Sequence, residues 1–521
     1  MIAGSGGRWL LDPYNLTVTK SAASTIDKSL NHGTSVTLKT SSSGTSGAGT
    51  ATAGPGDIIV AASVNWSGNA KLTLDAFRNV QIDNGITIRN TGAGNLVLAA
   101  DTSAQDSGTV MFKGTGKIDF SGSTGGVSIF YHPASYAAPI SYKTYVTLQA
   151  GDAFGVYMTI DNASDLQSMQ DNLTGSYTLN KNINASSISN FVPVGSNSSD
   201  TNTTRFNGVL SGRGHTISNL NISSNAGDVG LFGGLGTKAK ISSLKLSAVT
   251  VSGTEAGTDV GALAGKNEGK ITGVSVTGNV TGAGDALGGL VGDNGGTGTI
   301  ASSSSGAIVT DNDTTGGFAY VGGLVGINYH SISNSYATNS VTETAGTTSD
   351  IGGLVGWNNG GAISGSHALG NVSTNDSGDF DDVGGLAGRS GFTGTSSITT
   401  SYASGSVSGG GYTASVGGLV GAVTQTSSVS SSHASGNVSG GGQYAFVGGL
   451  IGDVTDTTGS VTNAQASGSV IGGIDSDDGS LIGANAGTVT GSTATGSVSG
   501  GSGSCIGGLI GYPGGAGSGC L

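Results

Sequence analysis

The residues with the chemistry to act are few and regularly placed. Tyr336, His367, Tyr402 and His433 each stand between a serine and an alanine in successive repeats of one pattern. With the small neighbours facing inward, the four rings face outward as a column. Such a column either stiffens a sheet by cross-strand contact or offers aromatic faces to a sugar. Asp228, Asp259, Asp350 and Asp382 each precede the Val or Ile of a recurring phrase. Stacked repeats bring such carboxylates to within about 5 Å of one another, which calls for a cation or a proton. Asp350, Asp379 and Asp382 are therefore the candidate ligands for calcium, which binds through oxygen. The Gly-Gly-x-Gly-x-Asp repeat of calcium β-rolls does not occur, and no other cofactor is expected.

Cys505 and Cys520, the two cysteines, fall in the last 17 residues. They are either a reduced pair or a disulfide that implies an oxidising compartment. As a disulfide the short loop contributes about 3 kcal/mol. Enzyme signatures are absent: there is no His-Glu-x-x-His, and no Gly-x-Ser-x-Gly at a strand-to-helix turn with a triad. Gly261–Lys266 resembles a phosphate-binding loop only superficially. Arg205, Arg213 and His215 form the one cluster of bases with a histidine, which reads as structural, and no catalytic residue is expected.

These residues are positioned by a five-residue phrase, Gly-Gly-Leu-Val-Gly, written outright at Gly288–Gly292, Gly322–Gly326, Gly352–Gly356 and Gly417–Gly421. With its variants it places Leu231, Leu263, Leu290, Leu324, Leu354, Leu386, Leu419, Leu450, Leu481 and Leu509 at steps of 27 to 34 residues. Such a period marks a solenoid. One repeat supplies three short strands, hence one turn of a three-sided β-helix, with Val321, Leu324 and Ile332 inside. The glycines, 99 of 521 residues, allow positive φ and close backbone approach. Asn267, Asn294, Asn328, Asn358 and Asn485 follow the closing glycines and predict an asparagine ladder. Five of six prolines lie at or before Pro193, the last being Pro513, so the repeats keep their N–H groups for pairing.

Charge narrows the partners. Residues 271–521 hold 15 acidic residues and one base, Arg389, and the whole chain carries −13. Such a surface suits neither nucleic acid nor anionic lipid, and no stretch is apolar for long enough to span a membrane. The first residues lack a basic start and an apolar core, so a signal and a secretion domain are expected upstream.

Along the chain, residues 1–150 alternate with period two (Val36/Leu38, Leu72/Leu74, Ile86/Ile88, Leu96/Leu98) and show no helical spacing. Gly6–Val18 and Gly56–Ile88 resemble the filamentous haemagglutinin family of two-partner secretion adhesins, which implies a right-handed β-helix. Residues 151–225 form a lead-in with one short helix over about 164–173, opened by a capping box at Ser164–Gln167. From 226 to 511, the phrase followed by Ser-x-Ala and Gly-x-Val-x-Gly resembles the GLUG motif of secreted or surface-exposed bacterial proteins. Residues 505–521 form a terminal cysteine segment. It resembles the loop by which some two-partner adhesins stay tethered in their outer-membrane transporter.

The sequence thus predicts an all-β, right-handed parallel β-helix with about ten GLUG-type coils and no catalytic centre. It predicts a secreted or cell-surface adhesin segment that meets a host or environmental glycan or protein receptor at many weak contacts. A β-helix carbohydrate-active enzyme and a purely structural stalk are the alternatives.

Overall fold

A computed structural model describes residues 8–11, 15–41, 55–104, 107–151, 153–195, 204–225, 227–255, 257–283, 285–311, 318–343, 349–374 and 380–514. The chain divides into two units, Met1–Asn182 and Ile183–Leu521. Each is a parallel β-solenoid, so the all-β expectation holds. The division falls within residues 151–225.

In the first unit three parallel ladders stack. One runs through Ser35–Lys39, Leu72–Asp75, Leu96–Ala99, Val127–Tyr131 and Phe154–Ile160. A second joins Leu16–Val18, Ile58–Val60, Val80–Ile82 and Val110–Phe112. The third joins Val64–Trp66, Thr87–Asn90, Lys117–Phe120 and Val146–Leu148. The period-two pattern places Leu72, Leu74, Leu96 and Leu98 inside, each 1% exposed or less.

Helical spacing is present here, contrary to expectation. Helix α1 spans Lys20–Asn31, with the Thr19 side chain accepting from the Ala22 amide. Ala23, Ile26 and Leu30 are its buried side, spaced three and four apart as a helix requires. Serine, threonine and lysine around them dilute the pattern in the sequence. The helix guards an edge: Asp27 Oδ1 accepts from the Asn65 amide at 2.8 Å and Asn31 Oδ1 from the Ser67 amide at 2.9 Å, groups that a bare edge strand leaves unpaired.

The expected short helix is α2, Ala163–Ser168, extended by a 3-10 turn over Met169–Asp171. Its cap is Asn162, not Ser164. The Asn162 side chain accepts from the Asp165 amide at 2.9 Å, so the helix starts before the capping-box match.

In the second unit the phrase builds two ten-stranded parallel sheets. Each phrase turns a corner. In one coil the strand Ala319–Gly322 ends, Gly323 and Leu324 form the bend, and Val325–Asn328 starts the next sheet. Ser331–Ser333 and the broken pair Tyr336–Ala337 and Val341–Glu343 belong to two further sheets. A coil therefore has four sides, not the three expected, because the phrase reads as one strand but spans two.

The phrase glycines are required for close approach alone. A Cβ on Gly322 would sit against the Val325 carbonyl, one on Gly323 against the Gly353 carbonyl, and one on Gly326 against the Leu287 amide. None of these glycines has positive φ. The left-handed residue of a coil lies elsewhere, at Asn334 (φ 48°), Thr400 (φ 50°) and Ser431 (φ 49°). There the chain turns between the isoleucine or valine strand and the inward serine.

Inside, Val321, Leu324, Val325 and Ile332 are fully buried and Ala337 is 1% exposed. Leucine amides donate from coil to coil: Leu290 to Leu324 O at 2.9 Å, Leu324 to Leu354 O at 2.9 Å, Leu354 to Leu386 O at 2.9 Å and Leu386 to Leu419 O at 2.8 Å. Four of the five asparagines form the expected ladder, whereas Asn485 lies between Val454 and Pro513 and donates to the Gly487 carbonyl instead. Asn267 Nδ2 donates to Asn294 Oδ1 at 2.8 Å, Asn294 to Asn328 at 2.7 Å, and Asn328 to Asn358 at 2.8 Å. Serines form another, the amides of Ser303, Ser335, Ser366 and Ser401 each donating to the next coil's serine Oγ at 3.1 to 3.2 Å.

Replacing Asn328 by Leu leaves its buried amide neighbours short of a donor and an acceptor. The expected loss is about 1–3 kcal/mol, read as a lower denaturation midpoint of the full chain. Replacing exposed Gln465 by Leu serves as the comparison.

Candidate binding face and charged triad

Tyr336, His367, Tyr402 and His433 are register partners in four successive coils. Their rings stack nearly parallel, with centroids 5.0, 4.6 and 5.0 Å apart and planes within 5° of one another. The backbone dictates this: Ala337, Ala368, Ala403 and Ala434 point inward and are at most 2% exposed, so the residue before each points out. Tyr336 is 38% exposed. Partial burial lowers the His367 pKa, which favours the neutral ring in the stack. The column continues into Gln465 and Thr493, hydrogen-bonding groups on the same strip.

A second aromatic cluster escaped the sequence reading. Trp357 stacks on Tyr320 with centroids 4.9 Å apart and meets Tyr329 and Phe392 edge-on at 6.4 and 6.0 Å. The Trp357 Nε1–H donates to the Gly391 carbonyl at 2.8 Å. Its slot, between the closing glycine and the asparagine, is filled by Lys266, Asp293, Ile327, Trp357 and Arg389 in successive coils. That variability inside an otherwise constant motif was the available signal.

The aspartates that precede the phrase do stack. Asp228 pairs in register with Asp259, and Asp350 with Asp382. For the second pair the counter-charge is internal. Arg389 Nε donates to Asp382 Oδ2 at 2.6 Å, and its Nη2 lies 3.4 Å from Asp350 Oδ1. Burial raises the Asp350 pKa well above the usual carboxylate range, Arg389 opposing without reversing it; Asp382 is raised for the same reason. Asp259 is raised by burial and by Asp293 and Asp228, with Lys266 opposing. Asp350 and Asp382 thus gather around a guanidinium, and Asp379, the third calcium candidate, lies outside the described residues.

The other acidic segments are not simple exposed loops. Asp311 and Asp478 are fully buried. Asp478 occupies the slot that is Val447 in the preceding coil and Ile506 in the next, and Ser476 Oγ donates to it at 2.8 Å. Burial pushes the Asp478 carboxyl up to about 6 and Asp453 up to about 7. Arg205 is 9% exposed and lies 3.9 Å from Glu268, with its methylene groups lying over Gly234. Cys505 opens the strand Cys505–Gly507, and Cys520 lies outside the described residues. Among the described residues no helix is long and apolar enough to cross a membrane.

Comparison with known proteins places this geometry in a class of repeat proteins. The GLUG motif family matches residues 319–342 and 412–439. The family described as the M26 IgA1-specific metallo-endopeptidase N-terminal region matches residues 134–278. Halomucin of Haloquadratum walsbyi is 36% identical over 146 residues, which is 26% of this chain and 2% of halomucin; the match thus spans a small fraction of that relative. A crystal structure of a proposed immunoglobulin A1 protease from Bacteroides ovatus is 18% identical, covering 65% of this chain and 83% of that one, with a TM-score of 0.36. The chain is a repeat protein that carries GLUG motifs on a parallel β-solenoid.

Replacing Arg389 by Met strands two buried carboxylates and is expected to cost about 3–5 kcal/mol. Adding Asp350→Asn to that variant returns part of the loss, read by denaturant titration. A second expectation concerns pH. Folded Asp453 and Asp478 hold protons that the unfolded chain releases near pH 4, so their contribution to stability is greatest below that pH. It falls as pH rises toward about 7 and levels off above. Unfolding midpoints between pH 4 and 8 check this, and Asp453→Asn flattens the profile.

Proposed function

We propose that this chain is a non-catalytic segment of an extracellular or cell-surface protein, binding a glycan or protein receptor multivalently along its stacked ring column. The observation that carries the proposal is the column itself. Four parallel rings, stacked face to face on a rigid strip that ends in Gln465 and Thr493, present repeated ring edges with phenol and imidazole groups at coil spacing. A receptor hydrogen-bonds to these groups and packs its apolar parts against the ring edges between them. Each contact is weak, and repetition along one rigid element multiplies them. Secretion or surface display is supported by the likeness to halomucin and by the GLUG repeats.

On the filamentous-haemagglutinin reading, a two-partner outer-membrane transporter exports the chain and a Cys505–Cys520 disulfide either tethers it there or clasps its last coil. Release of the chain from intact cells by reducing agent is the outcome expected for a tether. A second reading is favoured by the match at 134–278: the chain is an accessory region of a larger metallo-endopeptidase, in which the solenoid presents substrate to a catalytic part.

The test is binding of the full chain to a glycan array and to mucin-coated surfaces. Removal of Tyr336 and Tyr402 together, each to Ala, deletes two stacking rings worth about 0.5–1.5 kcal/mol apiece. Apparent affinity is expected to fall about tenfold or more with the far-UV circular dichroism unchanged. Binding at undiminished affinity contradicts the column as the receptor face.

A further inference from the structure

At one end of the first unit's longest ladder, three potential metal ligands converge from three different elements. His132 directly follows the strand Val127–Tyr131, and Asp161 directly follows its parallel neighbour Phe154–Ile160. Asp165 lies in the first turn of α2. One ligand atom from each of the three lies within 4.8 Å of the others. His132 Nε2 and Asp165 Oδ2 are 3.3 Å apart, which is about the edge of a tetrahedron with metal–ligand bonds of about 2.0–2.1 Å.

A second, independent observation concerns Asp161. Its side chain is buried, the residue being 1% exposed, and its Oδ1 has no hydrogen-bond partner. The other oxygen receives a long contact from Thr159 Oγ1 at 3.5 Å. Leaving a buried carboxylate oxygen unsatisfied is costly, and a positive ion beside it removes that cost. The charge balance agrees. Asp101 and Asn180 hydrogen-bond to the Asp161 side chain, and His132 is the one base beside it.

We propose that His132, Asp161 and Asp165 form a structural site for a divalent transition-metal ion of the zinc class. One imidazole nitrogen with two carboxylates suits zinc, whereas calcium takes six to eight oxygen ligands. The ion would lash the ends of two neighbouring strands to the helix that follows them. The site asks nothing of the ring column and stands apart from the proposed function. The competing arrangement is a plain hydrogen-bonded knot: Asp165 Oδ2 accepts from the Asp161 amide at 2.9 Å, and the Tyr136 hydroxyl lies 3.5 Å from His132 Nε2.

The experiment titrates chelator-stripped full-length chain with zinc chloride by calorimetry and follows thermal unfolding with and without the ion. Cobalt(II) absorption reports coordination at the site. The expected result is one zinc per chain, a higher melting temperature, and a tetrahedral cobalt spectrum. Asp161→Asn and His132→Gln each weaken zinc binding tenfold or more and abolish the cobalt spectrum. Should Asp161→Asn fail to fold, His132→Gln, on a partly exposed side chain, carries the test. The proposal is overturned if the wild-type chain takes up no zinc, if both variants bind it with wild-type affinity, or if calcium alone raises the melting temperature.

Discussion

In the second unit, the amide of a leucine in each coil donates to the carbonyl of the corresponding leucine in the next, and the distance never exceeds 3.0 Å from Leu263 through Leu481. This contact can form only where the backbones of successive corners come close together. The phrase glycines allow that approach, since a Cβ on Gly322, Gly323 or Gly326 would meet a carbonyl or an amide of its own or a neighbouring coil. Leucine then fills the space inside the corner. Hydrogen bond, glycine and leucine are one constraint repeated at eight successive steps, and the asparagine and serine ladders hang from it. Because each coil leans only on its neighbours, stability is a sum of coil and interface terms.

The constraint fixes where variation can go. Positions facing inward repeat as Val, Ile, Leu, Ala, Ser and Asn. Positions facing outward beside the closing glycine change freely, and there Lys266, Trp357 and Arg389 appear. Parallel in-register stacking has a cost: a charge recurring at one slot faces its own kind about 5 Å away. The chain offsets this locally. Arg389, the one base after residue 270, sits between Asp350 and Asp382, and elsewhere burial favours the protonated carboxyl. The ring column avoids the difficulty, because tyrosine and neutral histidine stack without like-charge repulsion. A rigid ladder that forces repetition therefore favours neutral aromatic groups on its surface, which is the chemistry a multivalent binding strip needs.

Much of this was legible in the sequence, since the period is carried by the residues the ladder cannot change. The solenoid, its number of GLUG-type coils, the asparagine ladder and the outward placement of Tyr336, His367, Tyr402 and His433 all follow from spacing. What was not legible depends on three-dimensional context. Helix α1 was hidden because its buried stripe is only Ala23, Ile26 and Leu30 among polar residues. The fourth side of the coil was hidden because Gly-Gly-Leu-Val-Gly looks like one strand, although its centre is a corner. Positive φ was expected at glycines and occurs at Gly273 and Gly365, but the same slot holds Asn334, Thr400 and Ser431 in other coils, where polar side chains tolerate the left-handed region. Asp478 gives no sign of burial in the sequence, yet it occupies the core slot that Val447 fills in the preceding coil. His132, Asp161 and Asp165 share no sequence spacing that a metal motif would show; only the folded ladder and α2 bring them together.

Residue-resolved hydrogen exchange on the native chain tests the leucine ladder most directly. The amides of Leu324, Leu354, Leu386 and Leu419, in the interior coils, are predicted to exchange slowest. Leu481, next to a final coil in which Leu509 is 48% exposed, is predicted to exchange faster. Fast exchange at the interior leucine amides, with protection confined to other strands, would contradict the account.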